Sequence, residues 1–419
     1  MDNLTHSLIG YCAGEAFSRF APVREHDVVA AATRRRVSIA MGIVGGNLPD
    51  SDLLISGTPG SESADVLRYL LLHRGHTHTV PGCLALALLL FLAAWGFLRW
   101  RGYRPGAGEL RTFGAMAVLA TALHLGMDAL NSYGVHPWWP IDSRWYYGDA
   151  VFIVEPLYWL ATAPLLFVLR SWWARVLLAL PLLGSVALQR FVHPVEPVWW
   201  IAAGVVLLLL VAAGRKRSPR VAAAMAVALM VMVTATFVAS RAVAARATDA
   251  LATRLFPAAR TLDAVLTPLP THPGCWDLML VQQEGRRLLV RHGQLAILGV
   301  ADVTRCRMLL DNDGTAERGA VPAADDAHVR WFGQIETSLV ELRELANQHC
   351  DVRNLLQFAR APYVAHRDQR TIVGDARFDQ EPGADFADLV VDRQPGAACR
   401  FHLPWIAPRA DLLEPTVRP

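Results

Sequence analysis

Apolar residues run in long unbroken stretches through the first 246 positions and give way to short alternating runs after that. Residues 80–98, 151–169, 198–213 and 221–240 each carry at most one charge and approach the ~20 residues a helix needs to cross the hydrocarbon core. Residues 113–131 and 173–188 are nearly as apolar, the first carrying His124 and Asp128 near its end. Residues 4–20 and 37–55 hold Gly, His, Asn or Asp among their apolar positions, so they span only inside a bundle. The pattern predicts an α-helical polytopic membrane bundle of about eight helices over residues 1–246.

From residue 247 the period changes. Short runs at 276–282, 287–290, 294–298, 371–375, 387–392 and 399–403 read as strands, and 329–348 reads as a helix. Residues 247–419 are therefore expected to form a small β-rich α+β domain.

Composition agrees with that division. The chain of 419 residues is 53% hydrophobic and 18% charged. Residues 1–246 hold 21 Arg and Lys against 14 Asp and Glu, whereas residues 247–419 hold 19 against 23. Arginines cluster at 34–36, 99–111, 170–175 and 215–220, in every second loop, which marks those loops as cytoplasmic. Traced from there, the protein lies in a bacterial inner membrane with its C-terminal domain outside the cytoplasm. The opening MDNLTHSLIG lacks a positive n-region, so no cleavable signal peptide is expected. Arginines spread over short loops give no nucleic-acid surface. Cys12 and Cys83 fall in apolar helices as simple thiols. Cys275, Cys306, Cys350 and Cys399 fall where one or two disulfides persist, with three full pairings open.

The chemistry lies in the few polar residues near the spans. Ionisable groups at membrane depth cost at least ~2.5–3.5 kcal/mol each, so they are rare without a function. His124 and Asp128 are spaced i, i+4 on one helix face, which Asn131 continues. His73-Arg74-Gly75-His76-Thr77-His78 brings three imidazoles into six residues, with Gly75 expected to make the sharp turn. Pro49-Asp50-Ser51-Asp52 offers two carboxylates after a helix-ending proline, and His6 completes the set. The basic-loop count places all of these on one side of the membrane. The loop 132–150 adds His136, Asp142, Asp149 and an aromatic belt, and Glu155 precedes Pro156.

Together these pieces (MDNLTHSLIG, the LPDSD turn, HRGHTH, HLGMDALNSYG and the later WWPID) resemble the family of inner-membrane-associated, metal-dependent hydrolases typified by YdjM. The resemblance covers roughly residues 2–156. It implies metal-dependent hydrolysis at the membrane; some members are described as regulator-binding proteins. The family often has an aspartate where this chain has Glu155 before Pro156.

The expected site is one or two divalent ions, zinc or manganese, held by His6, Asp50, His73, His78, His124 and Asp128. Asp52, Asp149 or Glu155 is the expected general base, and Arg74 the charge stabiliser. The expected substrate is a phosphoester or a lipid-linked molecule drawn from the bilayer, and residues 247–419 offer a surface for a protein partner. The alternative is a metal-stabilised scaffold or regulator. Metal transport ranks last, because the ligands gather at one face instead of lining a path.

Overall fold

The computed structural model describes the chain except residues 23–27, 58–62, 193–197, 298, 301, 307–318, 379–386, 392–398, 400 and 414–419. It opens with two helices, α1 (Asn3–Phe20) and α2 (Ala31–Gly45), that touch along small residues. A Cβ on Gly10 would stand 2.1 Å from the Gly42 carbonyl oxygen, and one on Gly14 2.5 Å from that of Ser38. This close approach, available only without side chains, brings the start of α1 over Gly46. Glu15 is buried at the same interface, where it accepts from Arg19 at 2.7 Å and from Arg35 at 2.8 Å.

After α2 the chain makes a 3-10 turn at Pro49–Asp52, then α3 (Leu53–Ser56) and α4 (Ser63–Leu72). A second 3-10 turn at His76–His78 leads into α5 (Val80–Trp100), whose N-terminus Thr79 caps by accepting from Gly82 N at 3.0 Å. The long helix α6 (Ala107–Asp128) returns beside it. Then come α7 (Pro156–Leu160), α8 (Trp172–Val192), α9 (Val198–Arg215) and α10 (Pro219–Leu255). Among the described residues, four helical stretches are long and apolar enough to cross a membrane: Val80–Trp100, Ala107–Asp128, Trp172–Gln189 and Pro219–Leu255. Their exposed residues are the kind lipid tails cover, such as Leu84, Leu88, Leu89 and Leu92 on α5 and Val227, Val231 and Val238 on α10.

The expected span at 151–169 is not a continuous helix. Pro156 and Pro164 interrupt it, leaving only the five residues of α7 and a 3-10 turn at Ala163–Leu165. The irregular backbone is buried in protein, with Ala163 and Leu165 wholly inaccessible and Pro164 against Gly214.

The C-terminal part holds two antiparallel sheets. The first has the order β1 (Arg260–Leu269), β2 (His272–Glu284), β3 (Arg287–Ala296), β4 (Val329–Ser338). The second has β5 (Pro362–Arg367), β6 (Arg370–Asp375) and β7 (Leu389–Val390). Between and after them lie α11 (Leu339–Gln348), α12 (Cys350–Leu356) and α13 (Ala410–Leu413). The helix expected at 329–348 is thus half strand. Val329, Trp331, Phe332 and Ile335 favour a pleated surface, and the helix begins only where Ser338 caps α11. The described residues of 399–403 form no strand, residue 400 lying outside the described residues; residue 298 of 294–298 and residue 392 of 387–392 also lie outside them. Disulfides join Cys275 to Cys306 and Cys350 to Cys399, while Cys12 and Cys83 are free and buried.

The two parts share a core. α10 continues through residue 246 to Leu255. Val66, Leu67, Leu70 and Leu71 of α4 pack with Leu342, Leu355, Phe358, Tyr363 and Val373 of the C-terminal part. Burying each such leucine stabilises by roughly 1.5–3 kcal/mol, so α4 is anchored to the C-terminal part.

Candidate metal centre

Four side chains from three segments converge beneath that junction. Asp50 comes from the first 3-10 turn, His78 from the second, and His124 and Asp128 from successive turns of α6. The Nε2 atoms of His78 and His124 face each other at 3.0 Å. Asp50 Oδ1 lies 3.3 Å from the first and 3.5 Å from the second. Asp128 Oδ2 lies 3.1 and 3.4 Å from the same two nitrogens. Ligand atoms at ~2.0–2.1 Å from a tetrahedral ion stand roughly 3.3 Å apart, so these separations fit one ion.

The partners of the other imidazole nitrogens decide which atoms carry lone pairs. His124 Nδ1 lies 2.7 Å from the Gly46 carbonyl oxygen, which only accepts, so Nδ1 is the protonated nitrogen. His78 Nδ1 lies 3.0 Å from Thr77 Oγ1 and 3.4 Å from Asp52 Oδ2. Thr77 gives its own proton to Asp52 at 2.7 Å, so it accepts from His78. Both Nε2 atoms therefore point lone pairs at the same spot, beside a buried Asp128 Oδ2 that has no hydrogen-bond partner among the described residues. Nothing but a positive charge holds such a group together. With no ion present a proton supplies that charge: burial alone would lower the pKa of His78, but Asp128, Asp50 and Asp52 overcome it and push it up to about 10, and a bound ion displaces this proton. In that proton-bridged state burial likewise opposes ionisation of Asp50, yet the neighbouring imidazoles of His124 and His78 hold it well below the usual carboxylate range.

Asp52 stands beside this group. Its Oδ1 accepts from His73 Nδ1 at 3.0 Å, and its Oδ2 from Arg74 N at 2.9 Å and from Thr77. Burial raises its pKa, and hydrogen bonds from His73 and His78 bring it well below the usual range. Asp50, Asp52 and His73 form a second group of three clustered donors that shares Asp50 with the first. His6 lies behind Asp128, with Nε2 3.2 Å from its Oδ1 and its ring stacked on His124 at 3.9 Å. It is outside both four- and three-donor groups and steadies Asp128 instead. The α-amino group of Met1 also contacts Asp128.

Arg74 enters the interior, 2% exposed, with Nη2 3.1 Å from Asp128 Oδ1 and Nη1 2.9 Å from Asn131 Oδ1. The sharp turn expected at Gly75 is made by Arg74, whose φ is 59°. That left-handed conformation costs a side-chain-bearing residue roughly 1–2 kcal/mol. Gly75 is needed for room: a Cβ there would meet the Leu72 carbonyl oxygen at 2.9 Å and Trp405 at 3.4 Å.

Asp149 and Glu155 are not brought to the centre. Asp149 pairs with Arg360 through two bonds of 2.7 Å, and the same guanidinium reaches Asp263 at 2.7 and 3.0 Å. Glu155 caps α7, accepting from Leu157 N at 3.0 Å, and also accepts from Thr271 N at 3.0 Å. Both carboxylates tie the membrane part to the C-terminal part. Asp142 is engaged by Arg144 and Tyr146 at the surface. His76 is exposed between Trp139 and Trp405, and His136 is buried between Trp405 and Trp145.

Trp405 reads in the sequence as core of the C-terminal domain, and nothing in local patterning brings it to this turn. It lies beyond Cys399, whose disulfide ties this segment to α12. Gln357 donates to the carbonyls of Leu403 and Trp405 at 3.2 and 3.1 Å. The Trp405 indole donates to the Leu71 carbonyl at 3.1 Å, stacks on His136 at 3.9 Å and covers Gly75. The C-terminal segment is thus a strap across the turn that carries His73, Arg74 and His78. Only its distance from the motif, over 300 residues, hid it.

Residues 1–194 match the family model described as YdjM inner membrane protein. This is the family that the motifs resemble, and its description agrees with the apolar helices long enough to cross a membrane. No curated protein and no solved structure matches the chain.

Proposed function

We propose that the protein is a metal-dependent hydrolase working at one face of the inner membrane, with its ion held by Asp50, His78, His124 and Asp128. The observation that carries this is the set of four buried donor atoms at tetrahedral separations, two of them imidazole lone pairs fixed toward each other by their far-side hydrogen bonds. A divalent ion there, zinc or manganese by its nitrogen and oxygen donors, supplies Lewis acidity and makes a water acidic enough to act as a nucleophile near neutral pH.

The protein's own groups then divide the work. Asp52 and the Gly46 carbonyl orient His78 and His124, and His6 orients Asp128. The Asp52–His73 pair is the base: with Nδ1 donating to Asp52, His73 holds an incoming proton at Nε2. That role falls to this pair because Asp149 and Glu155 are bound elsewhere.

Exposed Leu54, Ile55 and Ile141 flank the Asp50–Asp52 turn and the loop over the site, which supports a lipid or lipid-linked substrate approached from the bilayer. Two disulfides in the C-terminal part support the extracytoplasmic side given by the basic loops.

The burial of all four donors supports a second reading, a closed structural ion in a scaffold. Cobalt substitution separates the two. A five- or six-coordinate visible spectrum that changes with water-displacing anions supports the hydrolase. An intense four-coordinate spectrum that no anion alters supports the scaffold, and would end the enzymatic reading.

A further inference from the structure

We propose that Arg74, Asn131 and Tyr133 form a phosphate-binding pocket beside the ion, so that the substrate class is a phosphate ester. The inference rests on the metal-centre reading and names its substrate.

The observation is a group of buried polar atoms with no hydrogen-bond partner among the described residues: Arg74 Nε, Asn131 Nδ2 and Tyr133 Oη. Their side chains are neighbours. Arg74 Nη1 donates to Asn131 Oδ1 at 2.9 Å, the same oxygen accepts from Tyr133 N at 2.9 Å, and the guanidinium lies 4.7 Å over the Tyr133 ring. Buried polar groups are almost always paired, so three orphans around one side chain call for a missing partner.

The chemistry of that partner follows from the donors. Arg74 Nε and Asn131 Nδ2 only donate, and the Tyr133 hydroxyl is free to donate. Nε and Nη2 form the side-on fork with which guanidinium grips an oxyanion; here Nη2 alone is engaged, by Asp128 Oδ1. Asp128 is also a ligand of the proposed ion, so the fork and the ion flank the same space. A divalent ion added to Arg74 balances the carboxylates of Asp50, Asp52 and Asp128, and an anion then meets no net negative field. Three donors and the ion set around one anion suit a tetrahedral oxyanion such as phosphate, whose four oxygens can each face a different partner, better than a planar carboxylate.

The test uses the full-length protein in detergent, loaded with manganese, with inorganic phosphate as probe and its ³¹P relaxation as readout; metal content is measured separately. Wild type should broaden the phosphate signal through the bound manganese, and acetate should not displace it. Arg74→Gln should keep manganese and lose at least tenfold in phosphate affinity, and Asn131→Leu severalfold. Manganese uptake by wild type without phosphate broadening, or unchanged affinity in both variants, overturns the pocket and leaves the metal centre standing. Wild type that takes up no metal overturns both. Phosphatidic acid added in the same detergent identifies the source. Displacement of inorganic phosphate at stoichiometric lipid assigns the pocket to a lipid headgroup, and no displacement assigns it to a water-soluble phosphate.

Discussion

Arg360 grips Asp149 with both terminal nitrogens at 2.7 Å, joining the C-terminal part to the loop that follows α6 across 211 residues of chain. Both groups are almost wholly inaccessible, and Arg360 also holds Asp263. Removing one member of such a pair leaves a buried charge alone and costs ~3–5 kcal/mol. Asp149→Asn should therefore lower the unfolding temperature without changing bound metal. Thermal unfolding and elemental analysis of one preparation check this. Loss of activity at unchanged stability would return Asp149 to the catalytic machinery.

His6 and His124 lie ring on ring, yet their roles differ. His124→Ala removes a ligand and should abolish stoichiometric metal. His6→Ala removes only a support of Asp128 and should weaken binding ~10–100-fold while leaving full occupancy at saturating metal. Titration of both variants with zinc distinguishes them, and equal loss would make His6 a ligand.

The strap through Trp405 should set how long the ion stays. Trp405→Ala should speed metal transfer to an external chelator, with Trp405→Phe restoring much of the wild-type rate because a ring still stacks on His136. Chelator kinetics read this directly. Identical rates in all three proteins would show that the strap does not hold the turn.

Glu155 makes stability depend on pH. Burial pushes its carboxyl up to about 7, with the N–H groups of Thr271 and Leu157 offsetting part of the effect. A raised folded pKa favours the folded state at low pH. The contribution is full below the ordinary carboxylate pKa of about 4.3, declines as pH rises toward 7, and is gone above it; it is on the order of a few kcal/mol. The difference in unfolding temperature between wild type and Glu155→Gln should shift against wild type across that window and then level off. A difference that is flat from pH 4 to 8 would contradict it.

Much of the centre was legible because its spacing is local. His124 and Asp128 share a helix face, and the two short motifs of Asp50–Asp52 and His73–His78 each crowd ligands into a turn. The basic-loop count gave a reason to expect these pieces together, and Asp50, His78, His124 and Asp128 do cluster. What the chain could not reveal was distance through space. Asp52 looks like Asp50 in sequence, but only packing shows it behind His78. Asp149 and Glu155 look catalytic until Arg360 and Thr271 arrive from beyond residue 270. Val329–Ser338 is apolar enough for either a helix or a strand, and pairing with β3 decides it. The prolines at 156 and 164 were the visible warning against a span at 151–169.

The most direct measurement is the metal content of purified wild type beside His78→Ala. Near-stoichiometric zinc or manganese in wild type, lost in a folded His78→Ala, is the expected result. No ion in wild type, even after reconstitution, would reduce the cluster to a proton-bridged polar contact and remove the hydrolase with it.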